Sequence, residues 1–133
     1  MPDSPSLREW LEEEPFKLAM SSGFFGFYAH AGTLAALHEY GLFPIEGSGS
    51  SAGAMVVGLS VAGLEPDRIA EELSSLRRDE FWDPGVGLGL LKGKLFDEKL
   101  RGIVGDKLRE ECDMPVSISV TDVYRRETEV IGS

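Results

Sequence analysis

Apolar residues recur along the chain at two spacings, and the changes between them mark out the elements. Ser6-Leu7-Arg8-Glu9 has the form of a capping box. In that motif a serine and a glutamate three residues later satisfy each other's backbone amides, so a short helix is predicted from there to Glu14. Pro15 ends it. Phe16 to Ser21 reads as a short strand. From Phe27 to Tyr40, apolar residues at Phe27, Ala31, Leu34 and Leu37 make a helical stripe, with Gly41 as its natural C-terminal cap. Leu42 to Glu46 reads as a second strand, followed by a sharp turn over Gly47 to Ser51. Ala52 to Ala62 is apolar almost all round, so it predicts a buried helix. Pro66 suits the first turn of a further helix running to about Arg77, with Ile69, Leu73 and Leu76 facing inward. Asp83 to Lys94 is a glycine-rich loop. Asp97 is the expected cap of a helix whose face is Leu100, Ile103, Val104 and Leu108. Val116 to Val123 alternates as a strand does. Tyr124 to Glu127 can turn, and Thr128 to Ile131 can pair back.

Strand, helix, strand, helix is the order of a parallel α/β sheet, and such sheets collect ligands at the carboxyl ends of their strands. Two glycine loops, Ser21 to Gly26 and Gly47 to Ser51, fall at such ends. No repeat and no linker is visible. Residues 1–15 read as an acidic lead, disordered over Met1 to Pro5, with a short helix, and residues 16–133 as one α/β unit.

Composition narrows the function. The 133 residues carry 13 basic and 23 acidic side chains, a formal net charge of −10. That argues against nucleic acid and against electrostatic attachment to an anionic membrane. The single cysteine, Cys112, excludes an intrachain disulfide and a cysteine-based zinc site. No carboxylate and histidine spacing suits a metal. Met1 to Pro15 lacks the apolar core of a signal peptide, no stretch is long enough to span a bilayer, and the expected location is the cytoplasm. Glycine, at 16 residues, exceeds the usual ~7% and gathers in the loops.

Gly49-Ser50-Ser51-Ala52-Gly53 fits G-x-S-x-G, with Ser51 in the serine position, between an apolar strand and a helix. This is the arrangement of a nucleophile elbow. A nucleophile on a tight strand-to-helix turn needs small neighbours, and the helix N-terminus favours negative charge developing beside it. The plain alternative is a serine that caps a helix. In the first loop, Gly23, Phe24, Phe25 and Gly26 can aim backbone amides at an anion, and beside a serine nucleophile that anion would be an oxyanion. The alternative there is a packing loop with Phe24 and Phe25 in a core.

Ser22-Gly23-Phe24-Phe25-Gly26 with its following helix, then Gly49-Ser50-Ser51-Ala52-Gly53-Ala54, resemble the patatin-like phospholipase family. The likeness runs from about Phe16 to the end and includes Met114-Pro115-Val116-Ser117 through Thr121-Asp122. It implies a three-layer α/β/α sandwich on a mainly parallel sheet. It also implies hydrolysis of lipid acyl esters by a Ser-Asp dyad without cofactor or metal. Carried over by position, Ser51 matches the nucleophile, Gly49 and Gly53 its elbow glycines, and Gly23 to Gly26 the oxyanion loop. Ser21 and Phe25 depart from the glycine and arginine that many members carry. The family's Asp-Gly motif is absent from these residues, so the chain resembles the N-terminal part of the domain. An incomplete sheet would leave an open edge, which implies self-association.

Asp122, after the last alternating strand, is the internal candidate for a base; its alternative is a turn aspartate. Asp83-Pro84-Gly85 is a turn signal. His30 and His38 share one predicted helix; His30 can face the sheet near the first loop, and it reads as a packed, hydrogen-bonded residue, with a base as the alternative. Val86 to Leu91 reads either as a buried connector or as an apolar flap making transient membrane contact. Two non-hydrolytic functions remain: a lipid- or partner-binding domain of the same fold, and a dinucleotide site on Gly47, Gly49 and Gly53.

Overall fold

The computed structural model describes residues 4–23, 25–80, 82–86, 92–106, 111–112 and 114–132. Among these residues, five α-helices and four strands are ordered α1 (Leu7–Glu13), β1 (Lys17–Met20), α2 (Gly26–Glu39), β2 (Glu46–Ser50), α3 (Ala52–Val61), α4 (Pro66–Ser74), α5 (Lys94–Val104), β3 (Val116–Asp122) and β4 (Glu127–Gly132). The sheet runs β1-β2-β3-β4, parallel at its first two pairings and antiparallel at the last. This is the mainly parallel α/β sheet expected. The capping box on α1 forms as predicted, with the Glu9 amide bonded to Ser6 Oγ and the Ser6 amide to the Glu9 carboxylate. At the end of α2, the Leu42 amide reaches Leu37 O and the Gly41 amide reaches His38 O, closing the helix in a Schellman motif.

Helix α3 is the centre of the core. Val56 and Val57 are fully buried, and α3 packs on β1, β2 and β3 while α2 and α4 pack around it. Leu34 of α2 and Ile69 of α4 complete the set of fully buried large side chains. From α5, Leu100, Ile103 and Val104 are partly buried against the same core. The register puts Leu18, Gly47 and Val116 in one row and Met20, Gly49 and Ile118 in the next. Both rows face α3. Among the described residues, no helix is long and apolar enough to cross a membrane.

One predicted element moved. Leu42 to Glu46 was expected as the second strand and Gly47 to Ser51 as a turn. Instead β2 is Glu46–Ser50, built from glycine and serine, and only Ser51 turns. The reason is close approach. A methyl group on Gly47 would lie 2.6 Å from Val57 Cγ2, and one on Gly49 would lie 2.5 Å from the backbone of Gly53 and Ala54. The central strand under α3 has no room for the side chains that ordinarily signal a strand.

The cap of α5 also differs. Gly93 stands at its N-cap, and Asp97 pairs with Arg101 at 3.0 Å instead of capping. The capping carboxylate is Asp83, which accepts from the Gly93 amide at 3.0 Å and the Leu95 amide at 3.2 Å. Lys99 joins the same end of the molecule, with its ammonium 2.9 Å from Glu80. Residues 87–91 of the expected connector or flap, and Leu108, lie outside the described residues. Val86 itself is fully exposed.

Three variants test this packing and capping. In urea unfolding, Gly49→Ala should cost about 1–3 kcal/mol, because backbone must shift to admit the methyl group. Gly32→Ala, mid-helix in α2 with nothing near its Cβ position, should gain about 0.5–1 kcal/mol. At Asp83, burial pushes the carboxyl pKa up, but the amides of Gly93, Leu95 and Lys94 together hold it below its ordinary value of 3.8. A depressed carboxyl stabilises the fold above its unfolded pKa and loses that contribution as pH falls through the folded one. Asp83→Ala should therefore lower the melting temperature at pH 7, and the gap from wild type should close below the ordinary carboxylate range.

Candidate functional site

The parallel pairing sets the carboxyl ends of β1 and β2 side by side, with Met20 opposite Gly49. β1 leads into the first glycine segment picked out in the sequence, and the second is β2 itself, ending at Ser51. Across this junction α3 descends onto the sheet without a spacer. A methyl group on Gly53 would fall on the carbonyl oxygen of Met20.

Ser51 occupies the one residue between β2 and α3. Its backbone has φ 52 and ψ −117, a conformation that a non-glycine residue holds at a cost of about 1–3 kcal/mol. It is exposed, and its side chain makes no capping hydrogen bond to α3. The capping alternative therefore has no bond to support it. Ala52 and Gly53 behind it are buried, so the residue is held from below and open above.

The first glycine segment lies against this turn. A Cβ on Gly26 would sit 3.9 Å from Ala52 Cβ, which fixes the two segments as neighbours. Gly23 has φ 149, which side chains rarely tolerate, although the space around its Cβ position is open. The Gly26 amide donates to the Gly23 carbonyl at 2.8 Å, so that N–H is already engaged. Among the described residues, the Gly23 amide donates to no partner. Phe24 lies outside the described residues. Phe25 is the N-cap of α2 and is 73% exposed, so its ring does not fill a core. His30 closes the segment from beneath, with Nε2 2.8 Å from Ser21 O.

Asp122 ends β3. Its Oδ1 accepts from the amides of Tyr124 at 2.9 Å and Arg125 at 3.0 Å, the geometry of an Asx turn opening the β3–β4 hairpin. Ser119, three residues earlier, is the β3 residue paired with β2's last residue, Ser50. Asp122 thus lies roughly 10 Å farther along its strand than the end of β2, at ~3.3 Å per residue. Gly47 and Gly49 belong to β2 and face α3, which removes them from any phosphate-cradling loop. Among the described residues, no group of three or more His, Cys, Asp or Glu side chains could hold a metal ion. Sequence reasoning missed the capping role of Asp83. Its signal was only an Asp-Pro-Gly turn, because the amides it binds lie ten and twelve residues away.

An apolar cavity of about 380 Å³ starts one helical turn beyond Ser51. Ala54, Met55, Leu100, Val104, Ile118 and Ile131 are among the residues that line it, between α3, α5 and the β3–β4 pair.

A mainly parallel α/β sheet thus carries a kinked serine at a strand-to-helix junction, with a glycine segment beside it. The family model described as patatin-like phospholipase matches residues 18–131, and the chain belongs to that family. Curated relatives include proteins of Mycobacterium bovis and Mycobacterium tuberculosis, each described as an uncharacterized NTE family protein. They are 33% identical over 128 residues, covering 92% of this chain and 35% of each relative. The chain thus spans about a third of the length of the curated relatives it matches.

The backbone at Ser51 yields a prediction independent of activity. Ser51→Gly should be more stable than Ser51→Ala by about 1–3 kcal/mol, because glycine adopts the positive φ without strain. Matched urea titrations of the two variants measure the difference.

Proposed function

We propose that this chain carries the nucleophile half of a lipid acyl hydrolase, with Ser51 as the nucleophile. The observation that carries the reading is the backbone of Ser51: strained, exposed, uncommitted to capping, and adjacent to a segment held by glycine. Strain of this kind at a polar residue is found where geometry serves chemistry. The family supplies the substrate class, acyl esters of lipids, and the apolar cavity beyond Ser51 suits the hydrocarbon of such an ester.

In this reading Ser51 Oγ attacks the ester carbonyl carbon while its proton passes to a carboxylate. The carbonyl oxygen becomes an oxyanion, met by the Gly23 amide and its neighbours in the 23–26 segment and favoured by the N-terminus of α3. The C–O bond to the alcohol then breaks, and the alcohol leaves with the proton. Water attacks the acyl-serine, the carboxylate takes the water's proton, and the acid departs as Ser51 Oγ is reprotonated. Asp122 is poorly suited to be that carboxylate, because two backbone amides already occupy its Oδ1. We assign the role to an aspartate outside residues 1–133. On that account these residues alone should show little or no turnover, and a hydroxyl without its base should label slowly.

The test uses a full-length protein containing these residues, a short-chain nitrophenyl ester and a fluorophosphonate probe. Ser51→Ala should abolish both turnover and labelling while leaving the fold intact. Gly23→Val should lower kcat by about 10²-fold or more, the usual loss when one oxyanion donor is misplaced. Retained turnover in Ser51→Ala would move the nucleophile elsewhere. A labelling-negative wild type would favour a lipid- or partner-binding domain of the same fold.

A further inference from the structure

We infer that His30 is a positioning residue that sets the direction of the Gly23 amide by clamping the carbonyl of Ser21; the inference rests on the hydrolase reading above. Its ring stands in the first turns of α2, half-buried, with Nε2 2.8 Å from Ser21 O. It also packs under the other end of the same segment, where a Cβ on Gly26 would sit 3.4 Å from Nε2 and 3.6 Å from Cδ2. One imidazole thus bonds to one end of the six-residue segment and lies beside the other.

The chemistry of the contact fixes the tautomer. A backbone carbonyl only accepts, so Nε2 must carry the hydrogen whether the ring is neutral or charged. That nitrogen is therefore a donor to the loop and is not available to take a proton from Ser51. The consequence for the loop follows from peptide planarity. Holding Ser21 C=O fixes the plane of the 21–22 peptide. The Gly26 amide holds Gly23 C=O in the same way at 2.8 Å and fixes the 23–24 peptide. The 22–23 peptide, which bears the Gly23 N–H, lies between two pinned planes. Gly23 itself, at φ 149, has the widest backbone freedom in the segment, so the pins matter most there. Releasing the Ser21 pin leaves the 23–24 plane anchored and lets the Gly23 N–H swing.

A donor that swings is still present, so the loss should be smaller than deletion of an oxyanion-hole donor, which costs ~10²–10³ in kcat. In the full-length protein we expect His30→Leu to lower kcat on a nitrophenyl ester roughly 10-fold, with KM little changed and fluorophosphonate labelling slowed in parallel. His30→Gln, whose side-chain amide can place an N–H near the Nε2 position, should recover most of that loss. Ring ¹⁵N shifts should report hydrogen on Nε2, and the amides of the 21–26 segment should exchange faster in His30→Leu than in wild type. Wild-type kcat in a folded His30→Leu protein, or a Gln variant no better than Leu, would overturn the assignment. So would a neutral ring with its hydrogen on Nδ1, or unchanged amide exchange. Ser51→Ala is run beside these variants. If it still turns over, the hydrolase reading fails, while the ring shifts and amide exchange continue to decide whether His30 clamps the loop.

Discussion

The close approach of α3 to the sheet is the constraint on which the rest of this structure depends. Gly49 and Gly53 allow it, because a side chain at either position would enter the backbone of the other element. With no spacer, helix and strand must be joined by a single residue, and that residue takes a conformation glycine would prefer. The strain at Ser51 is thus a mechanical result of helix-to-sheet distance. It is sustained by the burial of Val56, Val57 and Leu59 behind it, since a well-packed helix does not shift to relieve one residue.

The same approach organises the neighbouring segment. Because Gly53 lies on the carbonyl of Met20, the end of β1 is held against the start of α3, and the chain must leave β1 beside Ser51. The bonds from His30 to Ser21 and from Gly26 to Gly23 hold the segment that follows. At Gly23 such a loop presents an amide with no side chain of its own. It also depends on its anchors more than a strand does, because strands share their hydrogen bonds across a ladder.

Three carboxylates of this chain serve as backbone acceptors. Asp83 gathers the first amides of α5, Glu9 caps α1, and Asp122 builds the β3–β4 turn. A carboxylate so engaged is a poor general base, because amides stabilise its charged form and it is held where the turn needs it. This is the physical reason the proposed dyad looks beyond Asp122, in a chain that covers about a third of the length of its relatives.

Much of this was legible in the residues alone. Periodicity located α2 and α4, because their buried faces repeat at helical spacing: Ala31 and Leu34, Ile69 and Leu73; α3 was legible because it is apolar almost all round. The capping box of α1 is local chemistry and formed as read. The order of elements predicted the parallel sheet, and G-x-S-x-G marked the junction at Ser51 with its small neighbours. Tertiary structure decided what depends on distant surfaces. Gly47 and Gly49 became strand because α3 presses on them, an effect no local propensity contains. Asp83 became a helix cap because a loop brought Gly93 and Leu95 to it, and Asp97, in the expected place, bound Arg101 instead. His30 met the carbonyl of Ser21 only once β1 and α2 were packed together, since the eight residues between the two say nothing of that distance. Sequence specified the types of contact this chain can make; packing of α3 on the sheet selected which of them were made.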